Sequence, residues 1–290
     1  MTHHSVELTT ELTATRLSRR TLLGAAAVAF WPGLRQTAAR QAPSEASSLV
    51  QRFYGLVDAY RYPDAYALLG KKWHAQQREK SFTKGYGDTA FVQCLVTGEA
   101  TGDGGTVIVS VELLSWHNDE KIVAYRGHYT VGMDGGALTI LAGDNTPTDP
   151  PAGTPPLGTL GDVTLAFGPW EGAAGSRNGA IVATNNGART IALGGSPRVT
   201  LKDTSGNTLV STSEEGSHPV AIVLAPNQQA YAPLRFSNWC GATGDPASVR
   251  AELPGDTGTT QVSYRDFGIS YPPCNGAGQP ATLSIKGWTK

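Results

Sequence analysis

Two sets of side chains in this sequence have types and spacing that could do chemistry. One is aromatic, Trp73, Tyr86 and Trp116; the other is polar, Glu112, Arg126 and His128. Brought together, the three rings could line a pocket for a small apolar ligand, although aromatic residues more often fill a core. Within 121–131, side chains alternate between faces. Ile122, Ala124, Arg126, His128 and Thr130 point one way, and Val123, Tyr125, Gly127, Tyr129 and Val131 the other. Glu112 on a neighbouring strand would join Arg126 and His128. That set reads either as a ligand-holding cluster or, in the favoured reading, as an ion pair on the outer or dimer-facing side of a sheet. No Gly-x-Ser-x-Gly, phosphate-binding loop, dinucleotide fingerprint or His-Glu-x-x-His motif occurs.

The elements that must position these residues follow from periodicity. Leu49, Val50, Phe53, Leu56, Val57 and Tyr60 recur at three- and four-residue spacing, which predicts a helix with Ser44 as its N-cap. Tyr62-Pro63-Asp64 ends it. A short helix over 64–69 and a weaker one over 73–86 follow. The period then changes to two over 91–97, 106–116, 121–131 and 137–142. Turn signals such as Gly102-Asp103-Gly104-Gly105 and Asp134-Gly135-Gly136 separate these stretches. The expectation is an α+β domain with three helices on one face of a curved antiparallel sheet.

Phe53-Tyr54, Ala65-Tyr66-Ala67-Leu68-Leu69, Ser81-Phe82, Gly85-Tyr86 and 125–131 (YRGHYTV) resemble the ketosteroid-isomerase-like (nuclear-transport-factor-2-like) fold. The resemblance implies a cone with a pocket between helices and sheet. An isomerase of that kind needs a carboxylate base beside a buried oxyanion donor. The family's catalytic tyrosine and aspartates have no convincing counterparts here, so no catalytic residue is assigned.

Residues 143–161 hold five prolines without periodic pattern, which predicts an extended spacer. Beyond it, short β-rich runs separated by Gly, Asn, Asp and Pro predict an all-β sandwich. Here Ala183-Thr184-Asn185-Asn186-Gly187, then 192–201 (ALGGSPRVTL), then Val223-Leu224-Ala225-Pro226, then Trp239-Cys240 and a late Cys274 are similar to an immunoglobulin-like domain of unknown function found in exported actinobacterial proteins. That resemblance implies a Cys240–Cys274 disulfide. It also implies an earlier bridge that this chain lacks, since Ile191 stands where one of its cysteines would be. A metal site finds no support: no second cysteine pair exists, and His74, His117, His128 and His218 are scattered. Cys94, in an apolar strand, reads as an inert buried thiol.

The N-terminal stretch sets the compartment. Ser18-Arg19-Arg20-Thr21-Leu22-Leu23 opens an apolar run whose 14 residues to Leu34 are too few for a membrane span of about 20. Small residues Thr37-Ala38-Ala39 follow. The pattern resembles a twin-arginine export signal, with an uncleaved anchor or a first helix as the other readings. Net charge is −1 and no basic block lies beyond this segment, which argues against nucleic acid as a partner.

The sequence therefore predicts a signal over 1–39, a ketosteroid-isomerase-like α+β domain over 44–145, a proline-rich linker over 146–161 and an immunoglobulin-like β-sandwich over 162–290. No cofactor is implied. The expected role is an exported, non-enzymatic binding or protein-interaction module, extracellular or at the cell envelope, with an unknown protein or a small apolar ligand as partner. Membrane contact would come only through an uncleaved signal. The alternatives are an enzyme acting in the cone's pocket, or a structural envelope protein forming a homodimer through the cone's sheet.

Overall fold

The computed structural model describes residues 44–173, 175–214, 220–240, 244–268, 270–276 and 278–290. The expected signal, with Arg19 and Arg20, lies outside them, as does His218. Helix α1 (Glu45–Asp58) begins where Ser44 accepts the Ser47 N–H at 3.1 Å. Its apolar face, including Val50, Phe53 and Val57, is buried. Three short helices follow, α2 (Tyr62–Ala67), α3 (Lys71–Gln76) and α4 (Glu79–Gly85). Strands β1 (Thr89–Thr101), β2 (Val107–His117), β3 (Ile122–Asp134) and β4 (Ala137–Thr148) then form an antiparallel meander. One face of that sheet, with Val92, Val109, Val111 and Ile140, shares a core with α1. Alternation sends Phe91 and Trp116 to the opposite face, where their rings meet at 5.6 Å.

The rest of the chain is nearly all strand. In order come β5 (Val163–Phe167), β6 (Glu171–Ala173), β7 (Ser176–Asn185), β8 (Ile191–Leu193), β9 (Arg198–Lys202) and β10 (Thr208–Glu214). Then follow β11 (Ile222–Leu224), β12 (Gln229–Ser237), β13 (Ser248–Glu252), β14 (Thr260–Ser263), the one-turn helix α5 (Tyr264–Phe267) and β15 (Thr282–Ile285). Strand β10 is shared. Its first part pairs antiparallel with β9, and Thr212–Glu214 pair parallel with β15. The ladder therefore runs unbroken as β14-β13-β9-β10-β15-β12-β7-β5, with β6 on β7, while β8 and β11 form a separate pair. Val199, Leu201 and Val249 from one arm meet Ile181, Leu234, Phe236 and Leu283 from the other in one cluster. The sheet curls round its own core. Full burial of each such side chain contributes about 1.5–3 kcal/mol.

This architecture overturns the expected cone plus sandwich. Among the described residues 46% are strand against 17% helix, and no three-helix cone is formed. The helical pattern is sustained only in α1. The later helical stretches hold six or seven residues each, too short to form a helical layer. The two sheets expected of a sandwich are one near-closed, barrel-like sheet, because β10 changes partner along its length.

The proline-rich stretch is docked. Pro155 O accepts the Trp116 Nε1–H at 3.0 Å, Pro156 O accepts the Ala192 N–H at 2.8 Å, and Gly158 N–H donates to Ala192 O at 2.8 Å. Nearby, Gln93 Oε1 accepts the Ala221 N–H at 3.1 Å. Residues 40–290 form one compact unit.

Candidate functional site

The three aromatic residues singled out from sequence do not meet. Trp73 and Tyr86 pack partly buried against the helix-side core. Tyr86 stacks on Tyr62 at 6.3 Å and meets Phe82 at 5.2 Å. Trp116 is buried on the far face of the sheet, against Phe91 and Pro155. The sheet separates the rings because Trp116 is an even-numbered residue of β2, and the helix-facing residues of that strand are odd-numbered.

Beneath α1 the hydroxyls of Tyr54 and Tyr129 hydrogen-bond to each other, and Asn145 Nδ2 donates to Tyr129 at 2.7 Å. Burial raises both phenols, as it does Tyr86, so all three are neutral at physiological pH.

Glu112 and Arg126 face each other across β2 and β3 and form an exposed ion pair at 2.8 Å, with His128 also exposed. An exposed pair of this kind contributes about 1 kcal/mol at most. Cys240 and Cys274 form a disulfide with Cα atoms 4.7 Å apart. Asn238 holds the adjoining loop, its Nδ2 donating to Gln279 O and its Oδ1 accepting the Asn275 N–H. Cys94 is buried, and burial pushes its thiol up to about 12. Among the described residues no group of three or more His, Cys, Asp or Glu side chains is placed to hold a metal ion.

A concavity among the described residues lies elsewhere. A cleft of about 1080 Å³ opens between α1 and the C-terminal strands. Ser48, Arg52, Gly55 and Ala59 line one wall. These residues follow each other round one side of α1, and all but Arg52 are small, so the wall stands back. The facing wall is the Ser196-Pro197-Arg198 entry to β9 and residues 252–257 after β13.

Tyr60 stands at the corner. The Arg61 N–H returns to Leu56 O and the Tyr60 N–H to Val57 O, closing α1 in a Schellman motif. The residue at its turning point takes the left-handed conformation usually given to glycine. Here it is a tyrosine with φ 56°, which costs of order 1–2 kcal/mol. Tyr60 is 40% exposed, and its ring centroid lies 5.7 Å from the Arg198 guanidinium carbon. Burial raises its phenol, partly offset by the Gly255 N–H. Arg198 also faces Glu252 at 3.9 Å, and Glu252 is held more closely by Arg250, at 2.7 Å. Asp58 sits behind the corner, its Oδ1 accepting the Val92 N–H at 2.8 Å.

Sequence reasoning missed Tyr60, Arg198 and Arg52. Only Tyr60 left a signal there: a helix ending one residue before Arg61-Tyr62-Pro63 with no glycine to turn it.

The facing wall of the cleft falls wholly within a recognised family region. Residues 159–289 match the domain of unknown function DUF4232. That β-rich DUF4232 region starts at Thr159, whose N–H and hydroxyl both donate to Asp162, and it contains the disulfide. It stops short of α1 and of the residues that resembled the ketosteroid-isomerase-like fold. No curated protein and no solved structure matches the chain. The cleft is thus built jointly by the DUF4232 region and by a helix outside it.

Proposed function

We propose that this chain is an exported binding module that holds a polypeptide segment in the cleft between α1 and the DUF4232 region. The cleft itself carries the reading. Its volume of about 1080 Å³ is at the upper end of small-molecule pockets, so the lining decides between occupants. Its lining mixes apolar Leu253, Pro254 and Tyr60 with charges of both signs. Such a surface suits an extended peptide better than a small apolar compound, whose binding would strip water from charged groups without return. Export is supported by the Arg19-Arg20 segment and its apolar run and by the Cys240–Cys274 disulfide. No described helix is long and apolar enough to cross a membrane.

Dimerisation through the meander has less behind it. The face that would pair is covered at Phe91 and Trp116 by the chain itself, and further along it carries the exposed Arg126 and His128.

The test is calorimetric titration of the full chain with an end-capped, randomised octapeptide pool. Ala59→Trp, which crowds the cleft, should weaken binding at least about tenfold, whereas Lys80→Trp on α4 should leave it unchanged. Equal binding by both variants would contradict the assignment.

A further inference from the structure

We infer that the peptide read by the cleft is acidic, and that Arg198, backed by the ring of Tyr60, receives its carboxylate; the inference rests on the polypeptide-binding reading above. The charges lining the cleft differ in how they are committed. Asp58 is turned to the Val92 N–H. Asp256 accepts the Leu160 N–H at 2.5 Å and the Gly258 N–H at 2.7 Å. Glu252 is shared between two guanidinium groups and lies closer to Arg250 than to Arg198. The acids are thus held by groups of the protein itself.

The arginines are less committed. Arg198 keeps half its side chain exposed, 51%, with Glu252 only at the outer limit of ion-pair distance. Arg52, on the opposite wall, forms no ion pair among the described residues. Arg61 meets Asp64 in an exposed pair. A guanidinium offers five donors in a planar fork that matches a carboxylate bidentately, and an aromatic face beneath it fixes the plane of that fork. Tyr60 supplies such a face from a backbone conformation that a tyrosine adopts only under strain. A glycine would end α1 more easily. The strain is accounted for by a ring placed under Arg198 at the mouth of the cleft.

Two end-capped octapeptides, one alternating Glu with Ala and its twin alternating Gln with Ala, are titrated into the full chain by calorimetry. The glutamate peptide should bind at least about tenfold more tightly than its twin. Arg198→Gln should remove that preference, and Arg198→Lys should retain part of it, since a lysine keeps the charge without the fork. Tyr60→Gly should lower affinity for the glutamate peptide while leaving the melting temperature equal to or above that of the parent chain. A Tyr60 with only a structural role would do the reverse. Equal binding of the two peptides, or a preference that survives Arg198→Gln, overturns the acidic assignment and leaves the cleft reading standing. Failure of both peptides to bind overturns both.

Discussion

The ring of Phe91 lies so close to Gly194 that a Cβ on that glycine would fall 2.3 Å from the ring. Phe91 belongs to the meander and is fully buried; Gly194 follows β8 in the DUF4232 region. This contact joins the meander to the DUF4232 region. The ring is enclosed and cannot retreat. Gly194→Val should therefore destabilise by about 1–3 kcal/mol. Differential scanning calorimetry of the parent chain should give a single transition. In the variant that transition should split in two, as each half loses the other's support.

Asn185 is the polar keystone of the barrel-like sheet. Fully buried, it donates from Nδ2 to Arg189 O at 2.9 Å and to Leu224 O at 3.0 Å, and its Oδ1 accepts the Gly187 N–H at 2.9 Å. Truncation strands buried partners that water reaches poorly. Asn185→Ala should lower the unfolding free energy by about 2–4 kcal/mol in urea titration, more than a single surface hydrogen bond would.

How much of this was legible in the sequence depended on distance along the chain. Local signals read well. The period of Val50, Phe53 and Val57 located α1, Ser44 its cap, and the Gly-rich turns the meander. What failed was long-range. Whether β10 joins one sheet or two is decided by its pairing with β15, about seventy residues away. Five prolines read as an extended spacer, and composition does not reveal that Pro155 and Pro156 offer carbonyls to Trp116 and Ala192. The cleft draws on 48–61, 196–198 and 252–257, and no spacing rule links such segments. Trp116 was grouped with Trp73 and Tyr86 by residue type, although strand parity sends it to the other face.

The disulfide closes a sequence separation of 34 residues. In the chain-entropy account such a loop stabilises by about 3–4 kcal/mol. The Cys240→Ser/Cys274→Ser variant should lose that amount in denaturant titration. The parent chain should lose a similar amount on reduction.

Asp162 supplies a pH dependence. Burial alone would raise its carboxyl, but hydrogen bonds from Arg189 and Thr159 outweigh that and hold it below the usual carboxylate value. A group depressed on folding adds stability above its unfolded value, about 3.9, and loses it as pH falls through the folded value. The parent chain should thus lose stability on acidification from about pH 4 downward. Asp162→Asn should be less stable at neutral pH and fall less over the same window, as urea midpoints at pH 6 and pH 3 would show.

The cleft as a peptide site is tested most directly by hydrogen–deuterium exchange of the full chain with and without the saturating glutamate octapeptide. Slowed exchange should concentrate in 48–61, 196–198 and 252–257. Unchanged exchange in all three segments, with protection only on the meander strands, would contradict the account.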